Sequence, residues 1–254
     1  MSGTVGFALL LSALAGLSTT LGSLLGILVR KPGPRFMAAT LGFSAGVMIL
    51  VSFVELLQGA IEAIGFAPSL LAFFGGMAGM FLIDALIPHD YLAERHRTEE
   101  EAGNGGLLKT GLLVALGIGI HNFPEGMASF AGALKDPSLG VAIAVAIAIH
   151  NIPEGLAVSA PVYAATGSRG KAFLWSFLSG VAEPIGAGVA ALLLLPFLNE
   201  AVLGVVLALV AGIMVFISLD ELLPAARSFG EEHLSIVGVV GGMVVMAVSL
   251  WLLR

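Results

Sequence analysis

Cysteine is absent from this 254-residue chain, which rules out disulfides and thiolate metal sites. Charge is scarce as well: 11% of residues are charged, against about 25% in a typical soluble domain. The 11 lysines and arginines form no basic patch and the formal net charge is −6, so nucleic acid is not an expected partner. Nor does any basic residue precede the first apolar run, where a secretory signal carries its positive charge. Arg30 and Lys31 follow that run, so "SALAG" at 12–16 reads as part of a retained span rather than as a cleavage site. What remains is apolar. Hydrophobic residues make up 58% of the chain, the mean hydropathy is +1.04, and 34 glycines suit close helix packing in lipid.

A helix needs about 20 apolar residues to cross a bilayer. Runs of that kind occur near 5–29, 36–60, 68–87, 110–132, 138–162, 172–195, 201–222 and 234–253. The expected fold is an all-α integral membrane protein, a single domain over 1–254 with eight transmembrane helices. An even number of spans puts both termini on one side. Nine of the 11 basic residues fall after spans 1, 3, 5 and 7, leaving Lys135 and Arg254 on the opposite side. By the positive-inside rule those odd-numbered loops, including the long polar stretch 88–109, face the cytoplasm and both termini lie outside.

The chain also repeats itself. "AGVMILVSFVELL" (45–57) aligns with "AGIMVFISLDELL" (211–223) at an offset of 166, and "GGMAGM" (75–80) with "GGMVVM" (241–246) at the same offset. "SALAGLSTTLG" (12–22) aligns with "SFLSGVAEPIG" (176–186) at 164, and "GIHNFPEG" (119–126) with "AIHNIPEG" (148–155) at 29. Spans 1–3 (about 5–87) thus resemble spans 6–8 (about 172–253), around a central pair (about 110–162). In the orientation above, paired spans run in opposite directions. This 3+2+3 inverted repeat is the plan of secondary transporters, which bind substrate near the midplane between the repeats.

The duplicated HN-x-PEG segment carries chemistry. Helical positions i and i+4 share a face, so His121 projects with Glu125 and His150 with Glu154, while Asn122 and Asn151 stand one residue round. Each set offers an imidazole nitrogen, an amide oxygen and a carboxylate, half a shell for a divalent cation. Pro124 and Pro153 cannot donate to the carbonyls of Ile120 and Ile149, so a kink is expected beside each histidine. Span 6 adds Glu183, span 2 adds Glu55, and span 7 adds Asp220 and Glu221. No lysine or arginine lies in any span as drawn. Intramembrane carboxylates cost at least about 2.5 kcal/mol each and need a counter-charge, which a bound or passing cation supplies. Imidazole with carboxylate suits Zn²⁺, Fe²⁺, Mn²⁺, Co²⁺ or Ni²⁺ better than Mg²⁺ or Ca²⁺, and the lack of cysteine disfavours Cu(I).

Two consecutive HN-x-PEG motifs, a span with "AEP" and another with "DELLP" resemble the Zrt-, Irt-like protein (ZIP) family of metal transporters, over essentially the whole chain and closest to its compact bacterial members. The resemblance implies uptake of Zn²⁺ or a similar metal (Fe²⁺, Mn²⁺, Cd²⁺, Co²⁺) into the cytoplasm by alternating access, one helical group carrying metal past the other. It implies the ligands His121, Asn122, Glu125, His150, Asn151, Glu154 and Glu183, with Glu125 and Glu154 bridging where two ions bind. Met48 matches a soft ligand in some bacterial members, and core packing is an equal reading for it. Glu55 would lie towards the outer mouth, and Asp220 and Glu221 near the inner exit. His89, Asp90 and His96 in the 88–109 loop would help metal leave, or belong to a solvated linker. A homodimer in a prokaryotic inner membrane is also implied. The metal is substrate; no catalytic cofactor is expected and the protein is not expected to be an enzyme. The rival functions are an intramembrane metal-dependent hydrolase, which lacks an HExxH motif here, and a cation channel using the same acidic path.

Overall fold

The computed structural model describes residues 2–29, 33–86, 99–197 and 199–253. Among them there is helix and no strand. We label the helices α1 (Ser2–Val29), α2 (Pro34–Ile64), α3 (Phe66–Leu86), α4 (Glu99–Lys135), α5 (Pro137–Thr166), α6 (Arg169–Leu194), α7 (Glu200–Arg227) and α8 (Glu232–Leu253). Local chemistry fixes several ends. Asp136 caps α5, its carboxylate accepting from the amides of Ser138 (2.8 Å) and Leu139 (3.0 Å), with Pro137 where a missing N–H leaves no gap in the helix. Asn199 caps α7 through the Val202 amide at 2.9 Å. α5 stops at Gly167, whose φ of 62° a Cβ would disfavour.

The helices follow the expected spans to within a few residues, except that α4 starts at Glu99, inside the stretch expected as a loop. His89, Asp90 and His96 lie outside the described residues. Among the described residues, seven helices are long and apolar enough to cross a membrane, and α4 is not one of them. Their outer faces are leucine-rich: Leu71 and Leu192 are each 77% exposed and Trp251 75%. Lipid solvates such a surface and water does not. The protein is an integral membrane protein.

The sequence repeats reappear in the packing. A π-helical turn occupies Ser52–Leu57 in α2 and another Ser218–Leu222 in α7, and their first residues stand at the 166-residue offset. In each, the serine hydroxyl donates 2.7 Å to the carbonyl four residues back, that of Met48 or Met214. Gly46 of α2 rests on the Val239 carbonyl of α8, while Gly212 of α7 rests on the Phe73 carbonyl of α3, again 166 residues away. Gly126 of α4 lies on the Glu183 carbonyl of α6, and Gly155 of α5 on the Thr19 carbonyl of α1, partners 164 apart. A Cβ at any of these four glycines would overlap the oxygen. Their Cα–H groups point at it instead, a recurring weak hydrogen bond that lets backbones touch.

These approaches sort the helices into two groups. α1, α4, α5 and α6 pack closely together, as do α2 with α8 and α3 with α7. Between the groups lies a core of side chains, among them Met48, Leu56, Ile143, Ile147, Leu207 and Met214, all fully buried.

Candidate metal site

Both HN-x-PEG segments lie in unbroken helix: Pro124 is inside α4, Pro153 inside α5, and Pro184 inside α6. Asn122, Glu125, His150, Asn151, Glu154 and Glu183 are all completely buried. His150 Nε2 stands 3.1 Å from Glu125 Oε1, joining the histidine of one motif to the glutamate of the other. Asn151 Nδ2 donates to Glu183 Oε2 at 3.0 Å and to the Ala15 carbonyl at 3.1 Å. Asn122 Nδ2 donates to the Ser179 carbonyl at 3.0 Å. Ala15 and Ser179 are themselves partners at the 164-residue offset, so the two asparagines are held alike. Thr19, also fully buried, occupies the position in α1 that Glu183 holds in α6. The pseudo-symmetric site therefore has its extra carboxylate on one side only.

The structure brings six of the seven expected histidine, asparagine and glutamate ligands into one buried cluster; the side chain of the seventh, His121, lies outside the described residues. Among the described residues no three histidine, aspartate or glutamate side chains are already arranged to hold a metal ion. Four buried oxygens, Asn122 Oδ1, Glu125 Oε2, Asn151 Oδ1 and Glu183 Oε1, have no hydrogen-bond partner among the described residues. All four are acceptors, the donor type that binds a hard or borderline cation. A buried acceptor left unmatched costs about 1–3 kcal/mol.

Met48 is fully buried in the core between the groups. It follows Ser44 by one helical turn on the same face of α2, and Ser44 touches the site. Ser44 Oγ donates to Glu154 Oε1 at 3.3 Å and lies 3.4 Å from the His150 carbonyl. Sequence reasoning missed Ser44. Its counterpart at the 166-residue offset is Val210, and a polar residue facing an apolar repeat partner is the signal that marks it.

Glu55 sits in the π-helical turn of α2, half-buried in the wall of a cavity of about 500 Å³. Asp220 and Glu221 sit in the matching turn of α7, Asp220 exposed and Glu221 half-buried. Glu221 lies beside Gly117 of α4, one helical turn before His121. The acidic residues thus occupy equivalent places on the two repeats, apart from the buried cluster.

The family model for the ZIP Zinc transporter matches residues 87–250. The chain belongs to the ZIP family. Its curated relatives include the zinc transporter ZupT of Chlorobaculum parvum, 52% identical with 99% of each chain covered. Those of Corynebacterium aurimucosum and Streptococcus mutans are each 51% identical, the match covering 97% and 96% of this chain and 97% of each relative. ZIP proteins are transporters rather than enzymes, so the intramembrane hydrolase falls away. In this ZIP protein the duplicated motif is the buried polar centre of the molecule.

Proposed function

We propose that this ZIP protein carries divalent transition metals, Zn²⁺ first among them, into the cytoplasm through the His/Asn/Glu cluster. The observation that carries the reading is the set of buried acceptor oxygens on Asn122, Glu125, Asn151 and Glu183, unmatched by hydrogen bonds among the described residues. A passing Zn²⁺ would take ligands from this set together with His150 and His121, and Glu154 beside His150 would complete or bridge the shell where two ions bind. Relatives matching nearly the whole chain at about half identity are named zinc transporters, which supports zinc over the other metals.

Alternating access is supported by the two helix groups. Glycines seated on backbone carbonyls tie α1, α4, α5 and α6 into one group and pair α2 with α8 and α3 with α7, whereas side chains fill the space between that group and the two pairs. An interface of side chains can slide without opening backbone contacts, so the group α1, α4, α5 and α6, which holds the cluster, would move past α2, α3, α7 and α8. Eight spans in a 3+2+3 inverted plan, with termini outside a prokaryotic inner membrane, complete the proposal. The distribution of basic residues supports that orientation, while assembly as a homodimer rests on the family resemblance.

The test is uptake of radiolabelled zinc into proteoliposomes by the wild type and by Glu125→Ala with Glu154→Ala. Saturable uptake in the wild type, lost in the double variant, is the expected result. Wild-type protein that folds and binds zinc without moving it would overturn the transport reading.

A further inference from the structure

Lys135 is one of only two basic residues on the side expected to face outward. It ends α4, in the group that holds the cluster, and reaches across to α2 in the other group. There its Nζ donates to the Gly59 carbonyl at 2.6 Å. Gly59 is buried and follows directly on the π-helical turn that carries Glu55 and its C-cap Gln58. The contact lies in the wall of the 500 Å³ cavity, which Glu55, Glu62 and Asp136 also line. Gln58 Nε2 holds Glu62 Oε1 at 3.3 Å, and Asp136 Oδ1 accepts the first amides of α5. One ammonium group therefore shares this chamber, roomy enough for several waters, with three carboxylates while fastening the two helix groups together.

The pseudo-symmetry shows that this fastening is one-sided. At the offsets of 29 and 166 residues, Lys135 corresponds to Ala164 and Gly59 to Ala225. Ala225 keeps the backbone carbonyl that Gly59 offers, but Ala164 has no side-chain donor to reach it. Glu55, by contrast, keeps an acidic counterpart in Glu221. The repeat has preserved acid at both ends of the path and placed a cation at one.

We propose that Lys135 is a tethered cation guarding the outer mouth of the metal path. Its ammonium competes with incoming metal for the chamber carboxylates, and its hydrogen bond to Gly59 holds α4 against α2 until that competition is lost. This builds on the transport reading above. Like charges confined to one chamber beside protein repel more strongly than in bulk water, so metal entering the chamber pushes the ammonium away. Removal of the charge therefore strengthens metal entry, and removal of the tether opens the chamber.

The experiment uses the full chain in proteoliposomes, as wild type, Lys135→Met, Lys135→Gln and Lys135→Arg. Zinc uptake gives KM at two salt concentrations. In parallel, Val54→Cys in each background is labelled by a cationic and by a neutral thiol reagent, and the natural lack of cysteine makes that thiol the sole target. In Lys135→Met, the zinc KM is expected to fall about three- to tenfold and the cationic reagent to gain about as much over the neutral one. Lys135→Gln, which keeps a donor for Gly59 without charge, shows the same preference for the cationic reagent with less opening to the neutral one. Lys135→Arg restores the wild-type ratio. An unchanged KM and an unchanged cationic-to-neutral ratio in both uncharged variants would overturn the proposal. If the wild type moves no zinc, the transport reading fails and the labelling ratio still decides whether Lys135 guards the chamber. If Lys135→Met does not fold, Lys135→Gln carries the comparison.

Discussion

At the residue scale, Ser44 shows how one hydroxyl separates two otherwise matched halves. It donates to Glu154 from the opposing helix group, and its repeat counterpart, Val210, has nothing to donate. A hydrogen bond to a carboxylate is worth about 1.5–3 kcal/mol at good geometry and less at 3.3 Å. Ser44→Ala is expected to leave the fold intact and to raise the zinc KM roughly three- to fivefold, because Glu154 loses the group that aims it. Val210→Ala, which touches packing alone, leaves KM within experimental scatter. Equal effects from the two substitutions would show that Ser44 only fills space. The buried polar cluster was legible in the sequence because His, Asn and Glu at i, i+1 and i+4 leave little choice of face, and duplication made the pattern unmistakable. Ser44 and Lys135 were not, because their importance arises from partners on another helix group, Glu154 and Gly59, that no local spacing reveals.

At the element scale, the helices were legible from apolar run length and the loops between them from polar residues and proline. The start of α4 at Glu99 was not, since hydropathy sees a polar helix end as loop. The π-helical turns were equally hidden. Ser52 and Ser218 sit in ordinary helical sequence, and only the structure shows that each widens the helix where an acidic residue projects. Packing between elements yields its own prediction. Gly46→Ala and Gly212→Ala each push a methyl group into a neighbouring carbonyl, that of Val239 or Phe73. Overpacking of this kind costs about 1–3 kcal/mol, and the pseudo-symmetry makes the two losses similar. Gly188→Ala, with open space around it, costs no stability and gains helix propensity. Thermal unfolding followed by size-exclusion in detergent separates these cases; a Gly46→Ala protein as stable as wild type would refute the close-packed α2–α8 contact.

At the scale of the whole molecule, transport by alternating access and conduction through a channel use the same ligands and differ in what must move. A carrier has to shift one helix group against the other during every cycle, whereas a channel does not. The structure offers matched places to test this. Gly59 of α2 lies near Leu139 of α5 across the groups, at about the reach of a short thiol cross-linker. Ala63 of α2 and Gly204 of α7 touch within one group, where a Cβ on Gly204 would stand 3.0 Å from that of Ala63, close enough for a disulfide after slight adjustment. With no native cysteine, each pair can be introduced alone. Cross-linking Gly59→Cys to Leu139→Cys is expected to stop zinc uptake, and reversal of the link to restore it. A disulfide between Ala63→Cys and Gly204→Cys leaves uptake running, since both positions ride in the same group. Uptake that survives the cross-group link would assign the buried cluster to a channel, and the side-chain interface between the groups would then need another explanation than sliding.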